Sequence, residues 1–197
     1  MRIRPFPPIL INVIHTALRS CEGVRFFTGN TCDTCGGTLS GYDERKKRFA
    51  LLVEEDKTCP VHVVIRRSAC RSCGKIVVPE DPFYPNTRFG SPVVDLCRSL
   101  SLGMPCARVS TSLRNMGVLV DRWTVRQYAR MPLPDIPMME LFGMQIPVSI
   151  LSLSTLAGTL GDRAYPDMEE VLTACKYPSR IPHNPKRSVH NNEEVRS

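Results

Sequence analysis

Two copies of one short pattern constrain this chain more than anything else in it: "CDTCGG" at residues 32–37 and "CRSCGK" at 70–75. Cys32, Cys35, Cys70 and Cys73 form two matched C-x-x-C pairs, separated by an interval long enough for a β-hairpin. Four thiolates suit a tetrahedral zinc ion. Gly36 and Gly74 follow the second cysteine of each pair, where glycine permits the positive φ that turns backbone amides toward sulfur. A four-cysteine site has no open coordination position. The expected cofactor is therefore one structural Zn2+, which contributes folding free energy rather than activating water.

A second spacing competes with the first. Cys59 and His62, in "CPVH", also stand at ligand distance, but they fall inside an alternating strand and no glycine follows them. The four-cysteine set is preferred, with exchange of ligands left open. Cys97 and Cys106 fall on apolar helix faces and read as core thiols, whereas Cys21 and Cys175 are isolated. Nine cysteines is an odd number, and their paired pattern favours metal ligation in a reducing, cytoplasmic setting over a disulfide framework.

The opening "MRIRPFPPILINVIHTALRS" is basic and then apolar, but prolines interrupt its front and no small-residue cleavage site follows. It is too short to cross a bilayer, so no membrane partner is expected. Pro8 is expected to open a helix with Ile9, Val13 and Ala17 on its buried stripe, making residues 1–31 an N-terminal helical segment.

Between the knuckles, "RFALLVEED" and "CPVHVVIRR" read as two strands around an acidic turn, with Val61, Val63 and Ile65 alternating against His62, Val64 and Arg66. "KIVVP" adds a short strand, so residues 32–79 are expected to form a small β zinc ribbon. Prolines at 79, 82, 85 and 92 mark a connector and a boundary near 80–90. Three helical segments follow over 88–131. Ser91 and Pro92 open the first, with Val93, Leu96, Cys97 and Leu100 on one face; Pro105 opens the second, with Cys106, Val109, Leu113 and Met116 recurring until Gly117. Asp121 caps the third, "RWTVRQYARM", which Pro132 ends. The expected class is α+β: a zinc ribbon, a three-helix helix-turn-helix bundle, and an irregular extension. That extension, 132–197, is proline-rich, with one apolar helix in "PVSILSLSTLAG" and a disordered tail from about Lys176.

Charge is concentrated in the helical stretch. The chain carries a formal net charge of +7, and residues 88–131 alone carry +5, from seven arginines and no lysine against Asp95 and Asp121. Guanidinium groups fork onto phosphates and guanine edges, so a polyanion is the expected partner. On a helical wheel Arg122, Arg126 and Arg130 adjoin, with Trp123 and Gln127 beside them and Val125, Tyr128 and Ala129 opposite. Arginine and glutamine read guanine and adenine edges, and the short "GVLV" turn before this helix suits a helix-turn-helix. The expected double-stranded DNA contacts are these five residues with Arg108 and Arg114.

The stretches "PFYPNTRFGSPVVDLCRSLS" and "GVLVDRWTVRQYAR", behind a split zinc knuckle, resemble the N-terminal region of transposases encoded by archaeal and bacterial insertion sequences. The resemblance covers about residues 32–131. It implies a zinc ribbon and helix-turn-helix that recognise transposon-end DNA. In that group an RNase H-like catalytic domain follows, with an acidic triad on two metal ions. Here Asp162, Asp167, Glu169 and Glu170 stand in turn or polar contexts, so no triad transfers to this sequence and a binding protein without catalysis is expected. The competing expectation is a protein-interaction module or homodimer using the ribbon and the apolar segment 147–157. No small-molecule substrate is expected.

Overall fold

The chain between the two cysteine pairs does double back. In the computed structural model, which describes residues 6–55 and 57–175, β2 (Leu39–Glu54) and β3 (Lys57–Cys70) pair antiparallel from Leu39↔Cys70 to Glu54↔Lys57. Two short strands flank them: β1 (Arg25–Phe26) runs parallel to β3, and β4 (Ile76–Val77) runs antiparallel to it. Val61, Val63 and Ile65 face the core and Arg66 faces out, as the alternation requires. The hairpin turns at Glu55, with φ of 48°.

Six helices complete an α+β molecule among the described residues. Helix α1 (Pro8–Arg19) starts at Pro8 and buries Ala17 as expected, but its stripe is completed by Leu10, Ile14 and Leu18, while Val13 is partly buried and Ile9 is 55% exposed. The reason lies in where each stripe leads. The stripe through Leu10 runs on to buried Cys21, whereas the one through Ile9 runs on to Ser20.

The proline-rich connector is packed into the core. Phe83, Tyr84 and Phe89 are buried, Phe83 meets Phe49 edge to face at 6.0 Å, and the Lys47 ammonium lies 3.6 Å from the Phe83 ring centroid. Gly90 rather than Ser91 is the N-cap of α2 (Ser91–Ser101), and a Cβ at Gly90 would lie 2.3 Å from the Phe49 ring. Helix α2 is enclosed over its first two turns, burying Asp95, whose carboxylate accepts hydrogen bonds from Tyr84 Oη at 2.8 Å and Ser149 Oγ at 3.0 Å. Such a carboxylate is tolerable in a core only because it is bonded.

Helices α3 (Cys106–Asn115) and α4 (Arg122–Ala129) pack on α2 and on each other. The turn between them is sewn to the end of β2: Val53 N donates to Gly117 O and Leu119 N to Leu51 O. Gly117 has φ of 74°, and a Cβ there would meet His15 Nε2 at 2.1 Å.

Residues 138–175 are more regular than the expected irregular extension. A hairpin of β5 (Met138–Leu141) and β6 (Met144–Pro147) precedes α5 (Val148–Gly158), the one helix expected there, and α6 (Met168–Ala174) follows. Helix α5 packs along α1, burying Ile150 and Leu153, and one buried cluster runs from Leu10 to Cys175. The expected tail from Lys176 lies outside the described residues. No helix among those described is long and apolar enough to cross a membrane.

Candidate functional site

The sheet brings the two knuckles together at one end of the hairpin. Each closes the same way: Gly36 N donates to Cys32 O and Cys32 N to Gly37 O, while Gly74 N donates to Cys70 O and Cys70 N to Lys75 O. Gly36 and Gly74 both adopt φ of 71°. Arg71 N reaches Thr38 O, and Lys75 Nζ donates to Thr34 Oγ1 at 2.7 Å, so each knuckle braces the other.

The four sulfur atoms lie within 4.8 Å of one another, with Cys32 and Cys73 at 3.9 Å and Cys35 and Cys70 at 3.5 Å. A tetrahedron with metal–sulfur bonds of ~2.3 Å has edges of about 3.8 Å. These residues could therefore hold one metal ion, with every coordination position filled by protein. Cys70 is drawn down to about 6 by the backbone amide of Cys73, aided by that of Ser72, and the amides of Thr34 and Cys35 lower Cys32. The Gly37 amide pulls Cys35 the same way, but its sulfur neighbours Cys70 and Cys73 outweigh it and leave Cys35 at about 12. Four thiolates at this distance repel unless a cation sits among them.

Cys59 and His62 do not join this cluster. They stand eleven and eight positions before Cys70 on β3, about 36 and 26 Å along an extended strand, and on opposite faces of it. Cys97 is fully buried, as expected of a core thiol, and Cys106 is partly buried. Sequence reasoning overlooked Gly37. A Cβ there would fall 2.4 Å from Ser72 Oγ and 3.1 Å from Cys70 Sγ, so the first knuckle can approach the second only with glycine at this position. The doubled glycine of "CDTCGG" was the available signal.

At the other candidate site, Asp121 caps α4 by accepting from Trp123 N and Thr124 N, both at 2.9 Å, and from Thr124 Oγ1 at 2.6 Å. These bonds, the Thr124 hydroxyl foremost, hold its carboxyl below the usual range. Thr124, Val125 and Tyr128 are buried against the body, while Arg122, Trp123, Arg126, Gln127 and Arg130 are all exposed. Trp123 is 64% exposed, with the guanidinium carbons of Arg122 and Arg126 5.3 and 5.8 Å from its ring centroid. Among the described residues none of these arginines forms an ion pair.

The two α3 arginines are exposed but do not share a face. Arg108 and Arg114 are six residues apart, about 120° around the helix, and Arg114 looks into a cleft beside β2. Arg98 serves the fold, donating to the carbonyls of Leu133 and Pro134 at 3.0 Å each. Asp167 and Glu170 form the capping box of α6 and receive Arg163. Comparison with protein-family models, curated proteins and solved structures finds no match to this chain.

Proposed function

We propose that this chain is a zinc-stabilised DNA-binding protein without catalytic activity, in which the cysteine cluster holds Zn2+ as a ribbon and α2–α4 act as a helix-turn-helix. The observation that carries this reading is the exposed side of α4: three unpaired arginines, a tryptophan and a glutamine on a short helix whose other side anchors it. An exposed tryptophan flanked by two guanidinium groups suits a polyanion with flat bases, on which rings stack and cations pair. Arginine and glutamine supply direct base readout, and Arg108 with other basic groups supplies phosphate contacts. The resemblance to the DNA-recognition region of insertion-sequence transposases points the same way. The reducing compartment expected from the cysteines, and a cytoplasmic location, belong to this proposal.

The test is duplex binding by a variant with Arg122, Arg126 and Arg130 replaced by glutamine. Loss of at least 100-fold in affinity, from contacts worth ~1–3 kcal/mol each, is expected with the thermal midpoint unchanged. Unaltered affinity would remove α4 from the interface. The interaction-module reading would rest on the ribbon more than on segment 147–157, whose Ile150 and Leu153 are buried where α5 packs on α1.

A further inference from the structure

A second cluster of arginines lies away from the exposed face of α4. Arg48 of β2, Arg88 of the connector and Arg114 at the end of α3 line one open cleft of about 470 Å3, floored by Leu51 and Val120. All three are exposed, and among the described residues none forms an ion pair. Other cations of the sheet are in part neutralised, Lys47 by Asp81 at 3.2 Å, Arg25 by Glu44 at 3.6 Å and Arg67 by Asp43, while Lys46, Arg66 and Arg71 form no ion pair among the described residues; the cleft differs in gathering three such groups on one concave surface. The cleft's carboxylate is Asp121, whose oxygens are already committed to the cap of α4. Three guanidiniums thus share a concave surface with one occupied carboxylate, which leaves a concentrated positive field.

The walls are fixed by hydrogen bonds of the main chain, one of them to a tyrosine hydroxyl. Gly90 N donates to Phe49 O and Arg88 N to Tyr128 Oη, which hold the connector against β2 and α4; Leu119 N donates to Leu51 O, which holds the other wall. Arg48 and Leu51 of β2 lie on either side of the first of those rungs. The backbone that carries the three arginines is therefore already set, and what remains to be ordered when an anion enters is their side chains.

We propose that this cleft is a phosphate-binding site, filled by a backbone phosphodiester of the duplex that α4 contacts. The source of the phosphate rests on the DNA-binding reading. The recognition chemistry, guanidinium donors lining one cleft and able to fork onto a tetrahedral oxyanion, does not. The duplex then runs from α4 across the cleft to the ribbon, and β2 becomes part of the nucleic-acid surface.

The experiment compares wild type with R48Q/R88Q in duplex titrations at several salt concentrations, with R48K/R88K as the variant that keeps charge and fold. A bound phosphodiester predicts a log–log salt slope shallower by about 1 and affinity about tenfold weaker for every duplex, with the order of preference among sequences kept. Substitutions on α4 should instead change that order. If wild type binds duplex and R48Q/R88Q binds it equally well with the same slope, the cleft is not a phosphate site and the α4 reading stands. If wild type binds no duplex, the α4 reading fails, and inorganic pyrophosphate decides the cleft. A rise in the thermal midpoint of wild type that R48Q/R88Q lacks upholds a site for free phosphate, and no rise overturns it.

Discussion

Asp121 joins the fold to the proposed function at a single residue. Its carboxylate orders the first turn of α4 and so sets where Arg122 and Trp123 stand. Replacing it with alanine should cost about 1 kcal/mol in chemical denaturation, the usual worth of an N-cap, and weaken DNA binding without removing any contacting side chain. The pH dependence has a definite sign. Because the folded pKa lies below the unfolded value of ~3.9, the cap's contribution is complete above that value and is lost as pH falls through the depressed one. D121A should therefore flatten the acid limb of the stability profile. Gly117 carries the opposite lesson. Its positive φ and its contact with His15 are both incompatible with a side chain, so Gly117→Ala should destabilise by more than about 1 kcal/mol, measured by urea unfolding. The sequence marked Gly117 only as the end of a helix, since His15 lies about a hundred residues away and no local pattern joins them.

Local elements with strong period or punctuation were legible in the sequence, as was the two-residue β4 in "KIVVP", whereas β1 and the β5–β6 hairpin were not. Strand β3 showed its alternation and α3 and α4 their openings and stops, whereas β2 starts at Leu39, nine residues before the expected "RFALLVEED", because bulges between Gly41 and Asp43 and between Arg48 and Ala50 break its period. Strand β1 has two residues, too few for any period. The β5–β6 hairpin was hidden because its turn uses Phe142 at φ of 53° before Gly143, where asparagine or aspartate would have announced it. At the knuckles, the pattern gave the ligands and both positive-φ glycines, but not the close passage at Gly37. Cys35→Ser should reduce bound metal from one ion per chain to less than a tenth, measured by elemental analysis after desalting. Hydrogen exchange should then speed up at residues 32–39 and 69–76 while amides of α2 stay protected. Uniform loss of protection would mean that the metal supports the whole core rather than one end of the hairpin.

At the scale of the whole molecule, the two ends of the described chain close on each other. Helix α1 lies along α5, so residues 138–175 support the same core as the first helix, and Leu153→Ala should cost roughly 2–5 kcal/mol in denaturant unfolding although it touches neither candidate site. Sequence patterning hid this pairing, because α5 is apolar on most sides and its partner lies more than a hundred residues earlier. The four-cysteine cluster thus lies at one end of the hairpin, and the turn before α4 is stitched to the other. DNA recognition by a metal-stabilised frame is tested most directly by fluorescence anisotropy of labelled duplex at several salt concentrations, before and after removal of zinc with a strong chelator. Tight binding with a log–log slope of about −3.6, for roughly four neutralised phosphates, should disappear with the metal. A slope near zero, no binding at low salt, or full binding by the metal-free chain would contradict it.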